Sequence, residues 1–343
     1  MNGNQRYTDR DAIRYPDPPV FVVSKQNKVP AMKANWEYSR RILVELNGRL
    51  NVALRGERTF TVLAAGSYGR MDASEKSDLD FLIVHDGGLV DGARKVEVVL
   101  QVAREMNLSM PSAEGAFSTP VVLSDLLATI GSKEDNLLKT AQRMLILMEG
   151  RALYNYTYFK SVLSRLLDHY LSLLEEEPDK EPIVLMNDLI RYFRGICLNV
   201  EFGFWQEESK WGLRNVKLRH SRILIYAGLL FLILNSSNRR SKKQNYLREH
   251  IHLTPMERIY HVYEDNSDFN FDRVVEAYDL FLSKLYNDDT RKELEALDYA
   301  KRYSSRTFAE LTSNSRSLQT ELVRFVLDNR RHWSPLAFEY LIF

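Results

Sequence analysis

Two aspartates, Asp78 and Asp80, lie one residue apart at the start of the apolar run Leu79–Val84. Side chains in a strand alternate between the two faces of a sheet, so both carboxylates are predicted to point to the same side. Adjacent carboxylates repel one another unless a divalent cation lies between them, and Mg²⁺ prefers oxygen ligands of this kind. The spacing therefore predicts a Mg²⁺ site on Asp78 and Asp80, with Mn²⁺ as the alternative ion.

A short glycine-containing turn lies just upstream of the two aspartates. The segment 66–70 reads Gly-Ser-Tyr-Gly-Arg and follows the β-like run Phe60–Ala64. Such a turn lets backbone N–H groups approach a phosphate closely, and a serine hydroxyl there can donate to the same phosphate. We expect the phosphates of a nucleotide to be bound by the turn residues Gly66, Ser67, Gly69 and Arg70.

The apolar pattern predicts the elements that position these groups. Apolar residues at helical spacing precede the first β-like run, and an amphipathic helix follows the second one. The predicted elements are, in order, a helix Trp36–Leu50, a strand Phe60–Ala64, a strand Leu79–Val84 and a helix Val90–Met106. The turn and the two aspartates thus lie at the strand ends of a small α/β unit.

The character of the chain changes after Ser124. From there to Phe343 the apolar period is helical almost throughout, with few helix-breaking residues. We therefore predict an α+β fold in which an α/β domain with a mixed sheet, residues 34–153, is followed by a mostly α-helical domain, residues 154–343. Residues 1–33 contain four prolines and are predicted to be an extended, loosely packed lead-in.

The order Gly-Ser, ten intervening residues, then Asp-x-Asp resembles the DNA polymerase beta-like nucleotidyltransferase superfamily. Within it, segments 66–70 (GSYGR) and 77–82 (SDLDFL) are similar to the PII-uridylyltransferase branch. Segment 144–153 (MLILMEGRAL) is similar to the Leu-Leu-Glu-x-Arg stretch of that branch, and the whole resemblance covers about residues 55 to 175. It implies that the 34–153 domain is a nucleotidyltransferase domain. It also implies Mg²⁺-dependent transfer of a nucleoside monophosphate from a nucleoside triphosphate, with release of pyrophosphate.

Nucleotidyl transfer is an in-line attack on the α-phosphate, and charge must be neutralised on the attacking and leaving oxygens. Metal ions on Asp78 and Asp80 could do this while the turn at Gly66 and Ser67 holds the β- and γ-phosphates. The accepting hydroxyl could belong to a protein, an RNA end or a small molecule, and the resemblance favours a protein.

A third carboxylate usually completes the site in active members of the superfamily, as a metal ligand or as general base for the hydroxyl. Glu114 is the first candidate here, because a short strand could run through it. Glu149 is the second, although it lies in a helical period beside Arg151 and could be ion-paired. Asp125 is expected instead to cap the helix that it opens. Without a third acid, the protein would be a catalytically weakened, nucleotide-binding regulatory module.

Three basic residues of the helical part, Lys210, Arg214 and Lys217, lie at i, i+4 and i+7. They share one face if their helix begins early enough. Opposite the metal site, this face could hold the triphosphate, and we include the three residues in the predicted nucleotide site. The alternative is a polar seam between helices, in which Asp188 pairs with Arg214 or Lys217.

A rival function comes from segment 214–220 (RNVKLRH), which fits the Arg-Asn-x₄-His form of HEPN-type ribonucleases. In that case, Arg214 and His220 would cleave RNA by acid–base chemistry without a metal. HEPN domains are helical and often accompany small nucleotidyltransferases, so the predicted fold is compatible with both functions.

The composition limits the remaining classes. The net charge is +1, so bulk nucleic-acid binding is not expected, and the single cysteine, Cys197, excludes intramolecular disulfides and multi-cysteine zinc sites. The N-terminus lacks the apolar stretch of a signal peptide. The longest apolar run, Ile223–Leu234, is shorter than the roughly 20 residues of a membrane-spanning helix. We expect this run to be a buried helix in a cytoplasmic protein that does not associate with membranes.

Overall fold

The computed structural model of the protein describes residues 13–54, 56–110, 119–172, 174, 177, 180–205 and 210–342. Glu114, the first candidate for a third carboxylate, lies outside the described residues. Up to residue 171 the described chain combines helices with a sheet. Its elements are α1 (Val20–Val23), α2 (Pro30–Ala53), β1 (Phe60–Ala64), α3 (Gly66–Arg70), β2 (Phe81–His85), α4 (Gly92–Glu105), β3 (Val121–Val122), α5 (Leu123–Ala128), α6 (Leu137–Glu149), β4 (Arg151–Tyr154) and α7 (Tyr156–Leu171).

From residue 183 onward the described elements are helical. They are α8 (Ile183–Trp205), α9 (Trp211–Lys217), a π-helical turn Leu218–Arg222, α10 (Ile223–Ser236), a 3₁₀ turn Ser237–Lys242, α11 (Lys243–His250), α12 (Pro255–Asp265), α13 (Phe271–Leu285), α14 (Asp288–Ala296), a 3₁₀ turn Arg302–Ser304, α15 (Arg306–Asn329) and α16 (Pro335–Ile342). The chain is therefore α+β and mostly helical, as predicted.

The four strands form one mixed sheet in the order β3-β2-β1-β4. Strand β1 pairs antiparallel with both β2 and β4, with Ala64 opposite Phe81 and Arg151, whereas β2 pairs parallel with β3. The sequence pattern predicts helix from Ser124 onward, so it misses β4. The apolar run of α6 is followed after only Glu149, Gly150 and Arg151 by the apolar residues of β4, and Gly150, in an extended conformation with ψ 131°, ends the helix between them.

The two faces of the sheet pack against different layers. Leu79, Phe81 and Ile83 belong to a core shared with α2 and α4. Leu82 and Val84 belong to a larger core that also contains the helices of the C-terminal part. Leu79, Phe81 and Ile83 thus share one side, as predicted. Strand β2 begins at Phe81 rather than at Leu79, so Asp78 and Asp80 precede it, and the N–H of Asp80 donates to the carbonyl of Asp78 at 3.2 Å.

The described part of the N-terminal lead-in, from residue 13 on, is packed and partly helical, so the expectation of an extended, loose segment is wrong there. Tyr15, Val22 and Val29 are buried, and the hydroxyl of Tyr15 donates to the carbonyl of Ala152 at 2.9 Å. Helix α2 begins at Pro30, earlier than the apolar period predicts, because proline is well accommodated in the first turn of a helix.

The longest apolar run forms α10, whose residues from Ala227 to Ser236 are all buried. The prediction of a buried helix is therefore confirmed. Within the part of the chain that the structure describes, no helix is both long and apolar enough to cross a membrane.

Candidate functional site

The turn after β1 lies directly against Asp80. The backbone N–H of Ala65 donates to the carbonyl of Asp80 at 2.9 Å, which fixes the start of the turn beside β2. Gly66 has φ +60°, a conformation that favours glycine, and a Cβ there would lie 2.5 Å from Oδ2 of Asp80. Glycine at position 66 thus lets the Asp80 carboxylate approach the turn that begins at Ser67.

Gly69 is enclosed by the end of helix α6. A Cβ at Gly69 would lie 1.9 Å from the carbonyl oxygen of Glu149, and Nε of Arg151 donates to the Gly69 carbonyl at 3.0 Å. Gly69 does not line the cleft described below. The structure therefore places this residue, predicted to bind nucleotide, in the packing between α3 and α6.

We predict that Gly69→Ala lowers the free energy of unfolding by about 3 kcal/mol or more, because the added methyl group meets backbone rather than a movable side chain. Gly48→Ala is the matched control, since nothing lies within 4 Å of its Cβ and Gly48 is inside helix α2. That variant should gain about 0.5–1 kcal/mol. Urea denaturation measures both, and equal stabilities would contradict the packing role of Gly69.

A small cleft brings the turn and both aspartates against the C-terminal helices. It encloses about 70 Å³. Its walls combine two carboxylates with five basic side chains. They are formed by Gly66, Ser67, Arg70, Lys76, Ser77, Asp78, Asp80, Lys217, Ser221, Arg222, Leu285, Tyr286 and Arg291. Gly66, Ser67, Arg70, Asp78, Asp80 and Lys217 were predicted from the sequence.

The cations opposite the aspartates come from the end of α9 and from α14. Lys217 is the last residue of α9, and the π-helical turn that follows adds Ser221 and Arg222 to the same wall. Because a π turn inserts an extra residue, positions i, i+4 and i+5 can share a face there. Arg291 of α14 completes the wall.

Lys210 and Arg214 do not line this cleft. Helix α9 begins at Trp211, and Lys210 precedes it in a left-handed conformation with φ 68°. Both side chains are exposed. Of the three basic residues predicted for this face, the structure brings only Lys217 to the aspartates.

Asp188 does not pair with Arg214 or Lys217, so the predicted polar seam is wrong. Its Oδ2 accepts from the buried Arg143 at 2.6 Å and from the hydroxyl of Tyr170 at 2.5 Å. These contacts tie α8 to α6 and α7. Asp125 was also misplaced as a cap, because α5 begins at Leu123 and its N-cap residue makes no side-chain cap hydrogen bond.

Arg70 is held by two carboxylates at the floor of the cleft. Its Nε lies 2.9 Å from Asp72 and its Nη1 lies 2.6 Å from Glu149, and its side chain is 9% exposed. The hydroxyl of Tyr278 donates to Asp72 at 2.6 Å. Arg70 is thereby neutralised by its own network, although it also lines the cleft.

Glu149 is accordingly an ion-pair partner rather than a free third acid. The sequence suggested a pair with the neighbouring Arg151, but the structure places Arg70 at 2.6 Å and Arg222 at 3.5 Å from its oxygens. Among the described residues, no group of three or more His, Cys, Asp or Glu side chains could hold a metal ion. Asp78 and Asp80 are the carboxylates that line the cleft. Two carboxylates alone could hold only an ion that keeps several waters or takes phosphate oxygens as further ligands, as Mg²⁺ does.

Burial in the cleft shifts the pKa of an acid and the pKa of a base in opposite directions. Burial raises the pKa of Asp80 to about 6, assisted by Glu149 and Asp78 and opposed by Arg222. Burial lowers the pKa of Lys217 to about 8, assisted by Arg291 and Arg222. A metal ion beside the aspartate and an anion beside the lysine would relieve both shifts, because each would stabilise the charged form.

Contacts across the cleft hold it nearly closed. Lys76, in the loop before the aspartates, forms an ion pair with Asp288 at the start of α14. The hydroxyl of Tyr286 donates to the backbone carbonyl of Asp72 at 2.7 Å. The loop is therefore bound to the α13–α14 connection at two points.

His220, the second residue of the HEPN-like pattern, is fully buried and faces away from solvent. Its Nδ1 lies 2.8 Å from the carbonyl of Val216, its Nε2 lies 3.2 Å from the amide of Asn314, and its ring stacks on Phe281 at 4.4 Å. These contacts suit a neutral ring that donates at Nδ1 and accepts at Nε2. Burial lowers the pKa of His220 to about 4.

Because His220 is buried in its neutral form, we expect the folded chain to lose stability in acid. Its pKa is about 4 in the folded chain against 6.5 when unfolded, so between these values the unfolded state binds the proton more strongly. The folded state should lose about 2 kcal/mol between pH 7 and pH 5 from this residue. We expect the free energy of unfolding, measured by urea denaturation at both pH values, to fall less in His220→Gln by about that amount. An unchanged drop in the variant would mean that His220 is protonated when folded.

Comparison with known proteins adds no further constraint on the site. No family model matches the sequence, and the search of curated proteins finds no match.

Sequence reasoning missed several cleft residues that the fold supplies. Ser221 and Arg222 reach the cleft through the π turn, which no periodicity argument indicates. Lys76 and Arg291 lie on a loop and on a helix about 215 residues apart in the chain. Only tertiary packing brings them together.

Proposed function

We propose that the protein is a Mg²⁺-dependent nucleotidyltransferase that moves a nucleoside monophosphate from a nucleoside triphosphate to a hydroxyl. One observation carries this proposal: the turn at Gly66 and Ser67 and the carboxylates of Asp78 and Asp80 face Lys217 and Arg222 across a single cleft. A metal-binding wall opposite a phosphate-binding wall is what in-line transfer at a phosphate requires.

The cleft residues divide two tasks in this proposal. Asp78 and Asp80 would hold Mg²⁺, which neutralises charge on the attacking and leaving oxygens. Ser67, Lys217 and Arg222 would bind the phosphates. The acceptor oxygen bonds to the α-phosphorus as the bond to the bridging oxygen breaks, pyrophosphate leaves with the electron pair, and the hydroxyl proton is released.

The volume of the cleft indicates what it can enclose. About 70 Å³ accommodates an ion and phosphate groups rather than a whole nucleotide. We therefore place the base and sugar outside the cleft. We also expect the loop that carries Lys76 to separate from Asp288 when the triphosphate enters.

A second function, a nucleotide-binding module without efficient turnover, is favoured by one specific observation. Glu149 is engaged with Arg70, and within the described ranges no third acid joins Asp78 and Asp80. The HEPN-like ribonuclease is disfavoured, because a general acid–base must reach its substrate and His220 is buried.

The experiment that separates these functions uses the full chain with each labelled nucleoside triphosphate and Mg²⁺. If the protein is a transferase, pyrophosphate is released and the label is transferred to an acceptor, which can be the protein itself. The binding module predicts a rise in melting temperature with nucleotide and Mg²⁺ but no pyrophosphate. RNA cleavage in EDTA that is lost in His220→Gln would instead support the ribonuclease. No response in any assay would refute all three.

A further inference from the structure

A second cavity lies apart from the cleft. It encloses about 550 Å³, a size typical of sites for small organic ligands. It is bounded by the lead-in at Arg14, by β4, by α7 and by the loop between α11 and α12. Its lining residue Arg151 donates to the Gly69 carbonyl, and none of its lining residues lines the cleft.

The lining of the cavity combines apolar and basic side chains. Phe159, Leu163 and Leu167 of α7 face Ile251 and Leu253 across it. The basic side chains on the same cavity are Arg14, Arg151, Lys160 and Arg248. A ligand that fits must therefore combine an apolar body with negative charge.

The cavity is lined by more positive than negative side chains. Glu257 is the acidic lining residue, and one of its oxygens already accepts from the backbone N–H of Thr254 at 2.8 Å as part of a helix cap. Arg248 pairs with Asp168 at 2.9 Å. In the described part of the chain, Arg14 and Arg151 form no ion pair, and Nε of Arg151 is used on the Gly69 carbonyl.

A buried arginine next to Glu257, outside the residues that line the cavity, adds positive charge behind its wall. Arg258 is 1% exposed and donates Nη2 to the carbonyls of Leu147 and Ile251, but its Nε and Nη1 have no hydrogen-bond partner among the described residues. Burial lowers the pKa of Arg258 to about 9 and lowers that of Arg151 as well. Guanidinium groups that are buried without a carboxylate partner are costly, and an anion nearby reduces that cost.

We propose that this cavity is a second ligand site, separate from the cleft, for a small amphipathic anion: a carboxylate, sulfonate or phosphate head on an apolar body. The head group binds Arg14, Arg151 and Lys160, and the apolar body packs against Phe159 and Leu163.

The test uses the full chain and the fluorescent probe 1-anilinonaphthalene-8-sulfonate, an anion on an aromatic body. We expect one bound probe per chain, displaced by decanoate and by decyl phosphate below their micellar concentrations. Decanol lacks the charge and acetate lacks the apolar body, so neither should compete at the same concentration. If decanoate and decyl phosphate differ in affinity, the stronger identifies the preferred head group.

Variants locate the binding. Arg14→Gln with Lys160→Gln should weaken the probe about tenfold, because two charge contacts are lost without touching the core. Lys133→Gln with Arg330→Gln, at two exposed positions outside the cavity, is the control and should leave affinity unchanged. Arg151 is left intact because it also holds Gly69.

Three results would overturn the proposal: no saturable probe binding, equal displacement by decanol, or equal affinity in the two double variants. ATP with Mg²⁺ should not displace the probe. Displacement by ATP, together with weakened binding in Lys217→Gln, would place the probe in the cleft and also contradict a second site. None of these outcomes depends on transferase activity, so failure here leaves the proposed function standing.

Discussion

Asp78→Asn and Asp80→Asn are each expected to reduce nucleotidyl transfer about 10³-fold or more, with the fold intact. Both carboxylates line one cleft. An amide retains the size of the side chain but loses the negative charge that holds Mg²⁺. The measurement is pyrophosphate release at saturating Mg²⁺ and nucleoside triphosphate.

Stability separates a metal-binding role from a structural one. Burial raises the pKa of Asp80 from 3.8 to about 6, so above pH 6 its charge costs stability in the metal-free folded state. At pH 7 in EDTA, Asp80→Asn should melt at or above the temperature of the wild-type chain. The gain should vanish below pH 4, where the carboxyl is protonated in both states.

Asp91→Asn is the control for both measurements. Asp91 is exposed, makes no cap hydrogen bond and has φ 54°, a conformation that asparagine adopts readily. It should retain full transfer and wild-type stability. If Asp78→Asn or Asp80→Asn instead melted several degrees lower in EDTA, the carboxylates would be structural, and the proposed metal site would be wrong.

The local part of the site was predictable from the sequence because its geometry is local. Alternation predicts that Leu79, Phe81 and Ile83 share one side, and the cores on either side of β2 confirm it. Asp78 and Asp80 precede β2, and both line the cleft. Likewise, a glycine with φ +60° at position 66 follows from a turn that leaves a strand. Alternation also predicts the side on which Leu79 lies.

The remainder depends on packing between distant segments. Periodicity predicts that Lys210, Arg214 and Lys217 share a helix face, but α9 begins too late to include Lys210. The π turn then directs Arg222, rather than Arg214, toward the cleft. A single extra residue in a helical turn changes which side chains face the site, and apolar spacing does not report it.

Ion-pair partners are similarly non-local. Glu149 has Arg151 two residues away, yet its partner is Arg70, 79 residues earlier in the chain. The contact exists because Gly69 lets α3 approach the end of α6. No rule of sequence spacing pairs the two, whereas the close approach of two backbones does.

Lys217→Gln is therefore the most informative change in the helical part. We expect it to lower kcat/KM about 10- to 100-fold, because a charge-assisted contact to phosphate is lost in a partly buried cleft. Direct binding of a nucleoside triphosphate should weaken in parallel. Lys210→Gln and Arg214→Gln remove the same charge from the same segment, outside the cleft, and each should change kcat/KM by less than about twofold.

The pH dependence of binding supplies a second readout for Lys217. Its pKa of about 8 means that the free protein loses this charge as the pH rises from 7 to 9. A bound phosphate stabilises the protonated amine, so affinity should fall over that range in the wild-type chain. The fall should be smaller in Lys217→Gln. Equal kcat/KM losses in the three variants would mean that a general positive field, rather than Lys217 at the cleft, attracts the nucleotide.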